Sequence, residues 1–241
     1  MKYIVLSTSI AAFALGGNAA AQGIQGFKGE AELGYTNISG NSDAENLVAK
    51  AKGTKEYDKW RHNAMLEATK SSSNSVDTAE RYLASYKADY KLSDVDYAFG
   101  QLNYEKDKFS GYDNRISELL GYGRDLYKTE TLFANAEISA GARQSKLTVP
   151  NADGDDSLSE AVVKLLGHLN WKISDTTDFD EVLTYDIGDE SRIAKSVSGL
   201  KTKINTALAM KVTYTITNNS DPVPGKTSTD RETNVTLVYS F

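Results

Sequence analysis

Two histidines are the side chains of this sequence best suited to acid–base chemistry. His62 follows Trp60 within a run that alternates apolar and polar residues, and His168 lies in a second run of this kind. A hydrolase of the Ser-His-Asp type needs a serine and a carboxylate within hydrogen-bonding distance of one histidine. The alternation puts His62 on an apolar face and His168 on a polar face, and no facing serine can be identified. The sequence therefore predicts no catalytic residue, with a lipase-type or protease-type enzyme as the alternative.

An acidic stretch near the middle of the chain offers a weak metal site. Asn151, Asp153 and Asp155 alternate as oxygen ligands do at the start of a calcium loop. The sixth position of such a loop would be Asp156 rather than glycine, and the twelfth would be Val162 rather than glutamate. The chain has no cysteine, which excludes disulfides and thiolate metal sites. We expect a solvated acidic loop and no cofactor.

Charged residues of both signs recur at every second position and would share one face of the segments that carry them. In a closed structure this face would line the interior, where the charges could pair and plug the space or could line a small polar pore. The predicted lumen charges are Glu30, Glu32, Lys50, Lys52, Arg61, Glu67, Arg81, Lys87, Asp89, Glu137, Arg143 and Lys164. The sequence therefore predicts a narrow channel for small polar or ionic solutes, with a non-conducting structural or adhesive role as a further alternative.

The alternation that positions these residues has the period of a β-strand. It is clear in Tyr82, Ala84 and Tyr86, which oppose Arg81 and Ser85. Twelve such segments are predicted, at about 27–35, 44–57, 60–68, 79–91, 95–108, 113–127, 131–145, 158–173, 177–187, 192–203, 206–218 and 229–241. The faces of the fifth and sixth cannot be assigned from the pattern, and a β-bulge would account for the conflict.

The connections between the segments favour a membrane barrel. Longer polar connections are expected near 39–43, 70–78, 109–113, 145–157, 188–191 and 218–228, and short turns near 58–59, 91–94, 128–130, 174–176 and 204–205. Alternation of long and short connections is typical of outer-membrane barrels, which have short periplasmic turns and longer outer loops. The sequence thus predicts an all-β fold, a single transmembrane antiparallel up-and-down β-barrel of about twelve strands.

The first residues have the pattern of a secretion signal. Lys2 precedes an apolar core at 4–15, and Ala19-Ala20-Ala21 fits the cleavage rule. We therefore predict a cleaved signal peptide at 1–21 and a mature barrel at 22–241. The acidic balance, 27 Lys and Arg against 33 Asp and Glu, argues against a nucleic-acid partner.

The last strand carries two aromatic residues, Tyr239 and Phe241, in the pattern of the terminal signal for barrel assembly. Further aromatic residues beside the short turns are expected to form an interface girdle. They are Tyr57, Trp60, Tyr90 and Trp171. The partners expected are outer-membrane lipid, the barrel-assembly machinery and small solutes, and the expected location is the bacterial outer membrane.

With these segments in place, the chain resembles a family of bacterial salt-induced outer-membrane proteins, most of which carry only a domain of unknown function. The residues that carry the resemblance are those at 26–42, Tyr97-Ala-Phe-Gly, 109–113, Gly121-Tyr-Gly-Arg124, 219–226 and 235–241. The resemblance implies a single outer-membrane barrel and a salt-responsive or stress-responsive role. It supplies neither catalytic residues nor a ligand.

Overall fold

The computed structural model describes residues 26–38, 44–74, 76–108, 110–150, 154–189, 191–222 and 227–241. The predicted signal peptide at 1–21 lies outside the described residues. The strands are β1 (Phe27–Ile38), β2 (Ala44–Glu56), β3 (Trp60–Ser73), β4 (Val76–Lys91), β5 (Asp96–Asp107), β6 (Tyr112–Lys128), β7 (Leu132–Leu147), β8 (Ser157–Lys172), β9 (Thr177–Gly188), β10 (Arg192–Lys203), β11 (Leu208–Asn219) and β12 (Thr229–Ser240). None of the described residues belongs to a helix that could span a membrane.

Each strand pairs antiparallel with the next along the chain, and β1 pairs with β12, so that the sheet closes into a barrel. Short connections favour this order because consecutive antiparallel strands need only a tight reversal between them. Closure gives the two edge strands partners for backbone groups that would otherwise be exposed. The prediction of a twelve-stranded up-and-down antiparallel barrel is confirmed.

The two ends of the barrel differ in the lengths of the connections between strands. The end that we call proximal holds Gly26, Phe241 and the connections 57–59, 92–95, 129–131, 173–176 and 204–207. The opposite end, called distal, holds the connections 39–43, 74–75, 108–111, 148–156, 189–191 and 220–228. All proximal connections are short, whereas the distal connections vary widely in length.

The expectation of strictly alternating long and short connections is wrong at three distal positions. The polar stretch at 70–78 is mostly strand, because β3 continues to Ser73 and β4 begins at Val76. Asn74 adopts a φ of 49°, in the left-handed region that tight hairpins use. The connections 108–111 and 189–191 are also no longer than the proximal connections. Beyond the apolar belt both faces of a strand meet water, so backbone pairing continues where the apolar periodicity has ended.

The faces of β5 and β6 are now defined. Tyr97, Phe99 and Leu119 are buried, at 3%, 5% and 4% exposure, whereas Leu120 and Tyr122 are exposed on the outer wall. The register of β5 and β6 is regular from Asp96↔Arg124 to Glu105↔Arg115, and the shift lies beyond Glu105. A bulge therefore does not cause the conflict in the pattern. Large apolar residues occupy the inner face of these two strands.

Candidate functional site: the polar lumen

The interior of the barrel is identified by ion pairs that join strands which are not neighbours. Such pairs can close only through the space that the sheet encloses. They link β4 to β12, β4 to β7, β10 to β1 and β11 to β1. The pairs are Arg81–Glu232 (3.8 Å), Lys87–Glu137, Lys201–Glu30 (2.8 Å) and Lys211–Glu32 (3.0 Å). This interior, the lumen, is the candidate functional site.

The structure places each of the twelve predicted lumen charges in an ion pair. Besides the pairs across the lumen, partners lie on adjacent strands. These pairs are Lys50–Glu67 (2.9 Å), Lys52–Glu32 (3.8 Å), Arg61–Asp89 (2.6 Å), Arg81–Glu67 (2.9 Å), Arg143–Glu160 (2.7 Å) and Lys164–Asp186 (3.0 Å). Pairing of this kind offsets the cost of holding charges away from bulk water. Lys201, Lys211 and Glu232 also belong to this network and are not among the predicted lumen charges.

One side of the lumen, lined by β4 to β7, is filled by aromatic side chains. Tyr97 and Phe99 lie directly opposite Gly123 and Gly121 in the β5–β6 ladder. A Cβ atom at either glycine would overlap the facing ring. The two glycines thus form notches into which the rings pack, and the rings reduce the open cross-section.

Charged and polar groups hold these rings in place. The Arg61 guanidinium lies 4.8 Å from the centre of the Tyr97 ring, and the Lys87 ammonium lies 4.2 Å from that of Phe99. These are cation–π distances. The Tyr97 hydroxyl donates to Glu137 at 2.7 Å and accepts from the Asn135 amide at 2.7 Å. We call Tyr97, Phe99, Arg61, Lys87 and Glu137 the aromatic cluster.

The two rings of the aromatic cluster were missed in the sequence because Tyr97 and Phe99 disturb the alternation of apolar and polar residues, whereas Arg61, Lys87 and Glu137 follow it. A usable signal was nevertheless present. Tyr97-x-Phe99 and Gly121-x-Gly123 have the same spacing. When two such motifs lie opposite each other in adjacent antiparallel strands, each aromatic ring can pack over the glycine that faces it.

The side of the lumen lined by β1, β2 and β10 is more accessible to water. The side chains of Lys52, Glu30 and Lys201 remain 37%, 30% and 29% exposed, although they point inward. On the packed side, by contrast, the Asp89 side chain is 1% exposed. The lumen is therefore asymmetric, with a filled side and a side where water reaches Lys52, Glu30 and Lys201, although Glu32 of β1 is only 5% exposed.

The histidines lie in surroundings that do not form a catalytic triad. Nδ1 of His62 is 2.7 Å from the Tyr86 hydroxyl, and its ring packs near Tyr57 and Trp60 on the outer wall. Nε2 of His168 is 2.6 Å from Asp180 within the lumen. Across the described ranges of the chain, no serine hydroxyl forms a hydrogen bond with either ring.

The calcium candidate is only partly described. Asn151 and Asp153 lie outside the described residues, while Asp155 is exposed in the connection 148–156. Among the residues that the structure describes, no group of three or more histidine, cysteine, aspartate or glutamate side chains is arranged to hold a metal ion.

Aromatic residues predicted for the girdle and the assembly signal lie at the proximal end of the outer wall. Trp60 packs edge-on against Tyr90 with ring centres 5.1 Å apart, and Tyr57 and Trp171 are exposed. Phe241 lies 5.8 Å from Tyr239 and 6.2 Å from Phe27. These rings present an amphipathic rim at one level of the barrel, as an interface belt requires.

Two carboxylates interrupt the apolar outer wall. Glu181 accepts hydrogen bonds from the Ser196 and Ser198 hydroxyls at 2.7 Å and 2.5 Å. Glu118 lies between Ile116 and Leu120, and it forms no hydrogen bond or ion pair with another described residue.

Exposed charges at the rims are ionised in pairs. A hydrogen bond from Lys172 at 3.0 Å holds the pKa of Asp175, in the proximal connection 173–176, below its usual value. At the distal end, a hydrogen bond to Glu80 raises the pKa of Lys108. The rims at both ends of the barrel therefore carry fixed charges near neutral pH.

Comparison with known proteins gives a family and a fold. The family model described as "Protein of unknown function, DUF481" matches residues 31–241. The uncharacterized protein YdiY of Escherichia coli (strain K12) is 31% identical over 216 residues, which cover 89% of this chain and 83% of that protein.

Solved structures of similar fold are outer-membrane barrels. The NanC porin matches with a TM-score of 0.55 at 12% identity, covering 88% of this chain and 98% of its own. The COG4313 outer membrane channel from Pseudomonas putida F1 matches with a TM-score of 0.51 at 10% identity, covering 89% and 95%. At such identities the likeness shows the fold alone.

Proposed function

The chain belongs to the DUF481 family, whose function is unknown. From the properties of the lumen, we propose that the protein is a narrow outer-membrane channel for small polar or ionic solutes. The observation that carries this proposal is the water access on one side of the lumen. Lys52, Glu30 and Lys201 point inward and yet keep about a third of their side-chain surface exposed. A lumen that admits water beside fixed charges offers a path for small hydrated solutes.

The dimensions of the barrel support a narrow path. Barrels of about eight strands are filled by side chains, whereas those of about sixteen enclose an open channel. Twelve strands lie between these cases, and the aromatic cluster occupies part of the section. The solutes proposed are therefore small ions and small polar molecules.

Charges of both signs line the accessible side of the lumen. Their arrangement affects the selectivity between small anions and cations. Three lysines there have a glutamate partner, in Lys52–Glu32, Lys201–Glu30 and Lys211–Glu32. Paired charges leave a weak net field, so we expect little discrimination between small anions and cations. Reversing the charge of a lysine whose ion pair is long, such as Lys52 at 3.8 Å from Glu32, should then change the selectivity between anions and cations.

We further place the barrel in the bacterial outer membrane with its proximal end in the periplasm. Short turns at this end agree with the usual periplasmic side of such barrels. The exposed girdle would meet lipid, and Tyr239 with Phe241 would be read by the barrel-assembly machinery.

Single-channel conductance of the purified, folded protein in planar bilayers tests the proposal. We expect small discrete steps, well below those of open sixteen-stranded porins. Lys52→Glu, on the accessible side, should shift the reversal potential toward cation selectivity in a salt gradient. Lys106→Glu, which makes the same charge change near the distal rim of the outer wall, is the matched control.

A non-conducting structural barrel is the second candidate. It is favoured by the ion pairs across the lumen, such as Arg81–Glu232, which could close the path. A folded barrel that gives no conductance steps would reject the channel and support this role.

A salt-responsive or stress-responsive role is proposed from the family resemblance. A bacterium that lacks the gene should grow more slowly than its parent at high external salt, and the intact gene should restore growth. Equal growth of both strains across a salt series would contradict this role.

A further inference from the structure

A cavity of about 370 Å³ opens at the proximal end between the connections 57–59 and 92–95 and the end of β6. Its apolar wall is formed by Leu92, Val95 and Tyr97. Its carboxylates are Glu56, Asp58, Asp94, Asp96 and Asp125. The cavity adjoins the aromatic cluster, because Tyr97 and Arg61 line it too.

Asp125 is the carboxylate whose surroundings indicate a missing partner. It is 8% exposed, and its Oδ1 atom has no hydrogen-bond donor. Its Oδ2 atom has only Lys128, at 3.9 Å, which is beyond hydrogen-bonding distance. A buried carboxylate oxygen without a donor is costly.

Two further acceptor oxygens nearby lack a donor. Asn135 lies directly opposite Asp125 in the β6–β7 ladder, and its Oδ1 atom is buried without a hydrogen bond. Oδ1 of Asp89, the partner of Arg61, is likewise buried without a hydrogen bond, although the Lys87 ammonium lies 3.5 Å from it. Three acceptor oxygens without a hydrogen bond therefore lie where the cavity meets the lumen.

The basic groups around the cavity do not correct this imbalance. Arg61 is engaged by Asp89 at 2.6 Å. Lys91 donates to Glu56 and to the carbonyl of Tyr57, each at 3.1 Å. Five carboxylates and three basic side chains line the cavity wall, and Arg124 pairs with Asp96 at 3.4 Å, so one excess negative charge remains to attract a cation.

We propose that this cavity binds a small organic cation that carries a primary ammonium group. An ammonium group supplies N–H donors for the oxygens that lack them, and its hydrocarbon part suits Leu92 and Val95. A bare metal ion is a poorer fit, because no three carboxylates among the described residues are close enough to share one. Binding of such a cation does not depend on whether the lumen conducts, so the two can be tested separately.

Calorimetric titration of the folded barrel in detergent with putrescine, a linear diamine, tests the proposal. We expect saturable binding at one site. Asp125→Asn should weaken it about tenfold or more, since a charge-assisted contact is lost. Asp156→Asn is the matched control, which removes the same charge from the connection 148–156 at the distal end and should leave the affinity unchanged.

Because Asp125→Asn could disturb folding at a buried position, a second variant tests binding through exposed residues. Asp58→Asn with Asp94→Asn alters only exposed turn residues of the cavity rim and should weaken putrescine binding in a barrel that folds normally. Absence of saturable binding to the wild type would show that water satisfies these oxygens, and the proposal would fail. Equal weakening by Asp125→Asn and Asp156→Asn, or displacement of putrescine by Mg²⁺ at matched charge concentration, would also overturn it.

Discussion

At the scale of single residues, the lumen is shaped by size as well as by charge. Phe99 can lie inside the barrel because Gly121 opposite leaves room for its ring. Lys87 then lies 4.2 Å from the ring centre and pairs with Glu137 across the lumen. One aromatic side chain therefore both narrows the path and holds a charge of the network in position.

Phe99→Ala should raise single-channel conductance and lower stability. The ring leaves a space beside Gly121 that water can enter, and loss of a buried phenyl group costs about 3 kcal/mol. Conductance steps and urea unfolding of the same preparation measure the two effects. Leu120→Ala is the control, because Leu120 lies on the outer wall and is 76% exposed. Unchanged conductance in Phe99→Ala would mean that the ring does not limit the path.

At the scale of strands, the weakest pairing is the one that closes the barrel. The β1–β12 ladder runs only from Glu30↔Ser240 to Leu33↔Leu237. The adjoining β1–β2 ladder runs from Phe27↔Lys55 to Ile38↔Ala44. Phe241 extends the short seam through two backbone hydrogen bonds with Gly29, at 2.8 Å and 2.9 Å, and its ring covers that glycine.

Deletion of Phe241 should reduce assembly and leave secretion intact. The seam would lose two backbone hydrogen bonds and the ring packed on Gly29. The amount of folded barrel in outer-membrane fractions, relative to periplasmic unfolded chain, measures the effect. Phe241→Tyr keeps both the backbone and an aromatic ring and should assemble nearly as well as the wild type. Normal insertion of the truncated chain would count against an assembly role for this residue.

At the scale of the whole molecule, an apolar outer wall surrounds a charged interior. Leu33, Leu66 and Leu183 are each more than half exposed on the outside, while ion pairs occupy the lumen. This is the reverse of the usual arrangement in water, and it is stable where lipid covers the wall. The outward carboxylates Glu118 and Glu181 are local exceptions.

The folded protein should therefore be recovered with outer membranes and migrate faster on gels before boiling than after. A closed barrel keeps its hydrogen-bonded ladder in detergent until it is heated. The boiled half of each sample is the control. Recovery in the soluble fraction, with migration unaffected by heat, would support a soluble β protein instead.

Strand number and the direction of most side chains followed from the sequence, because a period of two is a local property. Lys50 and Lys52 on β2, for example, needed only their apolar neighbours Ala49 and Ala51 to define a face. The positions at which strands begin and end were less predictable. Polar residues such as Ser71 and Ser72 remain in strand because pairing with β2 and β4 holds them there.

The tertiary structure alone decided which charges meet and how the lumen is filled. Lys201 and Glu30 lie far apart in the chain and meet only because the barrel closes between β1 and β12. Tyr97 and Phe99 broke the local period, and their inward direction depends on glycines of the next strand. The missing donors around Asp125 and Asn135 likewise arise from neighbours on different strands. Alternation along one strand defines its faces, but the contents of the lumen depend on contacts among strands that only closure brings together.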